Sequence, residues 1–144
     1  MKRLSIFVFI YTISLTGYAQ NEIGEMKARL TGNDKTRWIF EKLQKTMGDR
    51  KSTSSNECIY SRIIFSIKDS SFFADKCGTT TVDKGKWNIL KKDMEEYTIK
   101  LDKIYDIDFL PNRTIQNKER RVLRLRIPGK DMETPSLEYI YYAE

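Results

Sequence analysis

The sequence predicts an all-β fold: a small antiparallel, eight-stranded up-and-down barrel with a short N-terminal helix. Short segments alternate apolar and polar residues, which is the pattern of strands with one buried face. Polar turns, or turns that contain Gly or Pro, separate most of these segments. Such a meander leaves exposed edges unless it closes, and closing eight strands gives a barrel just wide enough for side chains or one small ligand. An open sandwich is the alternative architecture.

The N-terminal half predicts a helix and four strands. Glu22–Arg29 forms the short helix, and Trp38–Leu43 forms the first strand. Gln44–Asn56 is rich in polar residues and predicts a long, exposed loop. The next three strands are predicted over Ile59–Ile67, Phe72–Cys77 and Gly85–Leu90.

The C-terminal half predicts four more strands, each with three alternating apolar residues on one face. Pro111 and Asn112 are expected to break the sixth strand, and Pro128 with Gly129 ends the seventh. The apolar faces consist of Tyr97, Ile99 and Leu101, then Tyr105, Ile107 and Phe109, then Leu123, Leu125 and Ile127, and finally Leu137, Tyr139 and Tyr141.

The first residues predict export. Lys2 and Arg3 precede the apolar stretch Leu4–Leu15, and small residues lead to a cleavage site after Ala19. This order is that of a signal peptide over residues 1–19. An uncleaved anchor is the alternative, but the apolar stretch is shorter than the roughly 20 residues that a membrane-spanning helix needs. The mature chain is therefore expected in the periplasm or outside the cell, with no integral membrane segment.

After cleavage, residues 20–29 form a lead-in segment and residues 30–144 form one barrel domain. Cys58 and Cys77 are the only cysteines. In an exported chain, two cysteines favour a disulfide over a metal site or a catalytic thiol. The turn between the second and third strands also places the two residues nearly opposite each other, as a disulfide requires.

The composition excludes several kinds of chemistry. The chain has no histidine, which removes Ser-His-Asp and Cys-His catalysis and imidazole metal sites. The formal charge of +6 comes from interspersed charges of both signs and indicates no particular partner. We therefore expect a protein that is not an enzyme, with no cofactor, no metal and no nucleic-acid partner.

The order of short motifs resembles a known family. Leu30-Thr31-Gly32 leads to Trp38, the two spaced cysteines follow, and Gly85-Lys86-Trp87 comes next. Over residues 28–143 this order is similar to the lipocalin-like domains of secreted proteins and lipoproteins in Bacteroidetes-type bacteria. The six-residue step from Gly32 to Trp38 departs from the tight Gly-x-Trp of eukaryotic lipocalins. The resemblance implies a fold and a compartment more than a ligand.

Large aromatic side chains are the candidates for a ligand site. They can floor and line a cavity in the barrel, or they can simply fill it as an ordinary core. The candidate lining residues are Trp38, Phe65, Trp87, Tyr97 and Tyr105.

Two charged groups have weaker functional interpretations. Asp106 and Asp108 share a strand face about 7 Å apart, but that face is opposite the apolar one, so we expect it to meet water rather than a metal or a sugar. The basic run Arg120–Arg126, near Lys118, is interpreted as a solvated strand face that also guards against edge pairing.

Two functions follow. The leading expectation is an exported binding module that takes a small apolar or amphipathic ligand into the barrel. The alternative is a barrel without a cavity that acts through a protein partner, as an inhibitor or in envelope assembly. In that case Gln44–Asn56 and the Arg120–Arg126 face are the expected contact surfaces.

Overall fold

The computed structural model describes residues 20–144, which form one helix and one antiparallel sheet of ten strands. The predicted signal peptide and its cleavage site lie outside the described residues. Helix α1 covers residues 20–31 and confirms the predicted short helix. The strands are β1 (Lys35–Met47), β2 (Arg50–Ser54), β3 (Tyr60–Ser66), β4 (Ser71–Lys76), β5 (Val82–Lys86), β6 (Asn88–Asp93), β7 (Glu96–Lys100), β8 (Ile104–Ile115), β9 (Lys118–Ile127) and β10 (Ser136–Ala143).

The sheet is a barrel-like meander. Its order is β5-β4-β3-β1-β10-β9-β8-β7-β6, with β2 paired to β1. The first and last strands are neighbours, with Trp38 opposite Ala143 and Leu43 opposite Tyr139. The sheet therefore starts in β5 and ends in β6, which are consecutive in the chain and separated only by Trp87. The all-β, barrel-like prediction is confirmed at this level.

The strand count is ten rather than the predicted eight, partly because the predicted loop over Gln44–Asn56 is wrong. β1 continues to Met47, the chain turns at Gly48 and Asp49, and β2 pairs back along β1. Gly48 has a φ of 55°, which suits the first position of a tight two-residue hairpin turn. We call β2 and the last five residues of β1, with which it pairs, the hairpin arm. The other extra strand arises because the predicted fourth strand is interrupted at Trp87.

The predicted break at Pro111 is also wrong. β8 runs through Pro111 as far as Ile115, with a register shift between Leu110 and Arg113. A bulge accommodates proline because it leaves residues out of the ladder, and proline has no N–H to donate. The strand then turns tightly into β9 at Gln116 and Asn117, whose φ angles are 53° and 60°.

Apolar side chains fill the inside of the curved sheet, and α1 covers one of its ends. Leu30 in α1 is fully buried, and its carbonyl oxygen accepts a hydrogen bond of 2.9 Å from Trp38 Nε1. The Trp38 and Phe109 ring centroids are 6.1 Å apart, and the Arg29 guanidinium lies over Phe109 at 4.5 Å. Within residues 20–144, no helix combines the length and apolar character needed to cross a membrane.

Candidate functional site

The five predicted lining residues lie on the inner side of the sheet, but the structure groups only some of them. The Phe65 and Trp87 rings are in edge contact, with centroids 5.9 Å apart. Trp38 contacts Phe109 instead. Tyr97 is half-buried, and its hydroxyl donates a hydrogen bond of 2.9 Å to Glu22 in α1.

Four of these side chains have almost no accessible surface. The exposed fractions are 0% for Trp38 and Phe65, 4% for Trp87 and 1% for Tyr105. A cavity that holds a ligand is larger than a water molecule, so its lining atoms would be accessible to a water-sized probe. The interior at these four positions is therefore filled by neighbouring side chains. Their role in lining a ligand site stays a prediction that would require side chains to move.

Two buried tyrosines add a polar layer that sequence reasoning missed. The Tyr60 hydroxyl donates to Asp83 Oδ2 at 2.9 Å, and the Tyr105 hydroxyl donates to Asp102 Oδ1 at 3.1 Å. Burial raises the pKa of both tyrosines, and their carboxylate partners raise it further. The hydroxyl of Tyr60, followed by Lys76, lowers the pKa of Asp83. The two tyrosine hydroxyls are hydrogen-bonded and are not poised for proton transfer, because a general acid or base works best with a pKa near the operating pH.

An open depression lies at the end of β1 that points away from α1. Its volume is about 490 Å³, and its apolar floor consists of Leu137 together with the edges of Leu43 and Tyr139, which are only 3% and 7% exposed. One wall is the Cys58–Cys77 disulfide, whose two Cα atoms are 5.9 Å apart. This bond confirms the pairing that the sequence predicts.

A second depression of about 330 Å³ shares Lys45 with the first and extends along the hairpin arm. We call the two together the mouth groove. The second part is lined by Lys45, Met47, Arg50, Lys51, Ser52 and Pro135.

The mouth groove has one neutralised cation in its inner part and two cations without an ion pair among the described residues in its outer part. Lys45 Nζ lies 2.5 Å from Glu57 Oε2, so those two charges neutralise each other. Arg50 and Lys51 make no ion pair with any residue in 20–144, which leaves the outer part of the groove positive. Burial, and then the negative charge of Glu57, raise the pKa of Tyr139. Its neutral hydroxyl can therefore donate or accept a hydrogen bond at the groove floor.

The aspartate pair lies on the outer face of the sheet, where each member has a cationic partner. Lys92 Nζ is 3.3 Å from Asp106 Oδ1, and Arg124 Nη2 is 2.6 Å from Asp108 Oδ2. Two neutralised carboxylates that project toward solvent offer little to a metal. In the described part of the chain, no group of three or more acidic or cysteine side chains is placed to hold a metal ion.

The basic run in β9 does not form a single face, because successive side chains of a strand point to opposite sides. Arg121 lies over the Trp38 ring at 5.5 Å and donates to Thr36 Oγ1 at 2.9 Å. Arg124 pairs on the outer face with Asp108 and with Glu138, the latter at 3.7 Å. The interpretation of the whole run as one solvated face is therefore wrong for Arg121.

No family model matches the chain, and neither the curated proteins nor the solved structures include a significantly similar protein.

Proposed function

We propose that the protein is an exported, non-enzymatic binding module that takes a small amphipathic anion in its mouth groove. The observation that carries this proposal is the contrast between a filled interior and an open groove with an apolar floor and unpaired cations. The proposal keeps the predicted class of ligand but moves it from the interior to the surface.

The fold supports a lipocalin-like interpretation. β2 and β3 pair with different parts of the same side of β1, and β5 and β6 are separated by a single residue. If each of these pairs is counted as one interrupted strand, the sheet has eight strand paths in up-and-down order. Export is supported by the basic and apolar N-terminal pattern and by the disulfide, which forms in oxidising compartments.

The ligand chemistry follows from the groove. Leu137 is half-buried and Met47 is 38% exposed, and both offer apolar surface to an alkyl chain, whose burial stabilises a complex by about 0.8 kcal/mol per methylene group. Arg50 lies on the same face of the hairpin arm as Met47 and offers positive charge to the head group, and Lys51 borders the same end of the groove. Dodecanoate combines both features and is a suitable probe.

The test compares dodecanoate with dodecanol and dodecyltrimethylammonium by titration calorimetry on residues 20–144. Dodecanoate should bind most tightly. Reversing both groove charges in Arg50→Glu/Lys51→Glu should weaken it by at least about fivefold. The matched control is Lys84→Glu/Lys100→Glu, which changes the net charge equally at exposed positions outside the groove.

A third variant distinguishes binding in the groove from binding in the interior. Phe65→Leu alters the packed core without touching the groove. If Phe65→Leu weakens dodecanoate binding and the Arg50/Lys51 reversal does not, the ligand enters the interior and the groove proposal is wrong. Equal affinity of all three probes would overturn it as well.

The filled interior also supports the alternative, a barrel that acts through a protein partner. The hairpin arm is the feature that favours it, because the arm extends beyond the part of β1 that β3 covers.

A further inference from the structure

We infer that the open edge of β2 is a docking site for an acidic, extended segment of another protein, which would add to the sheet as a strand. The inference develops the protein-partner alternative and does not depend on a ligand in the mouth groove.

The outer edge of β2 has no strand beside it among residues 20–144. β2 pairs only with β1, over five consecutive positions without a register shift. β3, which lies on the same side of β1, is covered on its other edge by β4. β4 ends at Lys76, opposite Tyr60, and so stops where β3 begins. β2 therefore lies beyond the reach of the strand that covers β3.

The hairpin register identifies the backbone groups on this edge. Met47 and Arg50 flank a two-residue turn and face each other. The residues next to such a turn exchange both backbone hydrogen bonds, and every second residue of an antiparallel strand repeats the arrangement. The N–H and C=O groups of Lys51 and Thr53 thus point away from β1. A row of unpaired groups of this kind is a template for another extended chain.

The side chains of β2 select the partner. Arg50–Ser54 contains two cations, three hydroxyl side chains and no acid, and all but Ser54 are exposed. A second copy of the same edge would add two more cations to this short strand and no acid to offset them. Lysine on an edge strand discourages self-pairing for this reason. An acidic segment instead gains from opposite-charge pairs across the strands.

A proline within the strand, or a buried segment packed beside it, would obstruct strand addition, and this edge has neither within residues 20–144. No proline interrupts Arg50–Ser54, and the following residues Ser55 and Asn56 are exposed. Arg50 and Lys51 are consecutive in β2 and so project to opposite faces of the strand. The occupant that fits is therefore a protein segment in extended conformation with two adjacent acidic residues, one for each face.

The first test uses short synthetic peptides in which pairs of valines alternate with pairs of glutamates, and matched peptides in which lysine replaces glutamate. The glutamate peptides should bind residues 20–144 and slow hydrogen exchange at the amides of Lys51 and Thr53. Failure of every glutamate peptide to bind would overturn the inference. Equal binding of the lysine peptides, or protection confined to another strand, would overturn it too.

The second test uses variants of the edge. Thr53→Pro removes an outward N–H that β1 does not use and should weaken glutamate-peptide binding by about tenfold. Thr53→Ala keeps that N–H and should bind nearly as the parent does. Unchanged binding in Thr53→Pro would contradict strand addition.

Charge reversal keeps the inference testable if the proline disturbs the hairpin arm. Arg50→Glu/Lys51→Glu should transfer the preference from glutamate to lysine peptides, with exchange protection at the same two amides. A variant that keeps the original preference would show that β2 does not select the peptide.

Discussion

The indole Nε1 of Trp38 donates a hydrogen bond of 2.9 Å to the carbonyl oxygen of Leu30, and both residues are fully buried. The bond joins the last turn of α1 to β1. A helix end leaves carbonyl groups without helical partners, and a buried one must be satisfied by another donor. Trp38 thus completes the helix as well as the core.

Trp38→Phe should therefore destabilise the fold by about 2–4 kcal/mol. The smaller ring leaves space against Phe109, and the Leu30 carbonyl becomes a buried acceptor without its partner. Urea denaturation with an unchanged slope would measure the loss. Leu90→Ala, at a position that is 56% exposed, is the control and should change stability by about 0.5 kcal/mol or less.

The disulfide should make a comparable contribution. Cys58 and Cys77 are 19 residues apart, and cross-links of this loop size stabilise by about 2–4 kcal/mol. Cys58→Ser/Cys77→Ser should lower the thermal midpoint to that of the reduced parent protein. An unchanged midpoint would contradict the prediction. Free thiols in protein isolated from the envelope of its host would argue against the bond in the natural setting.

Much of the fold could be predicted from alternation because the inner face is apolar. Ile63 and Phe65 are fully buried in β3, and Leu123 and Leu125 are buried in β9, as their spacing predicts. β2 could not be found in this way. Arg50–Ser54 contacts no core on either face, so its sequence has no apolar period to detect.

The candidate site was less accessible to sequence reasoning. Pattern alone places Trp87 and Tyr105 on the inner face, but it does not determine whether the interior is open or packed. That depends on whether the facing side chains together fill the space. The mouth groove combines β1, β10 and the disulfide loop through long-range pairing, such as Leu43 with Tyr139. No local motif marks it.

The hydrogen bond from Tyr60 to Asp83 gives a prediction about the pKa of Asp83. Tyr60 is 1% exposed and donates to Asp83, which also lies 3.1 Å from Lys76. Tyr60→Phe should cost about 1 kcal/mol, because Asp83 keeps its lysine partner but loses the hydroxyl. The pKa of Asp83 should rise toward its usual value, as followed by carboxyl chemical shifts in a pH titration. Tyr105→Phe is the matched variant, because it removes a hydroxyl from Asp102 and should leave the pKa of Asp83 nearly unchanged.

Acid should weaken the attachment of α1 through Glu22. The Glu22 carboxylate accepts hydrogen bonds from Lys91 Nζ and from the Tyr97 hydroxyl, and these hold its pKa below the ordinary value of 4.5. A carboxyl group with a lowered pKa in the folded state binds protons more readily when unfolded. Its stabilising contribution is therefore complete above 4.5 and is lost as the pH falls through the folded-state pKa.

Glu22→Gln should accordingly be less stable than the parent at neutral pH, and the difference should shrink as the pH falls to about 3. Thermal midpoints across this range, at low salt so that the ion pair is not screened, provide the measurement. Glu25→Gln is the control, because Glu25 is an exposed glutamate of the same helix that makes no ion pair within residues 20–144. Its thermal midpoint should match that of the parent at every pH. A difference between Glu22→Gln and the parent that persisted undiminished in acid would mean that Glu22 does not stabilise α1 through its charge.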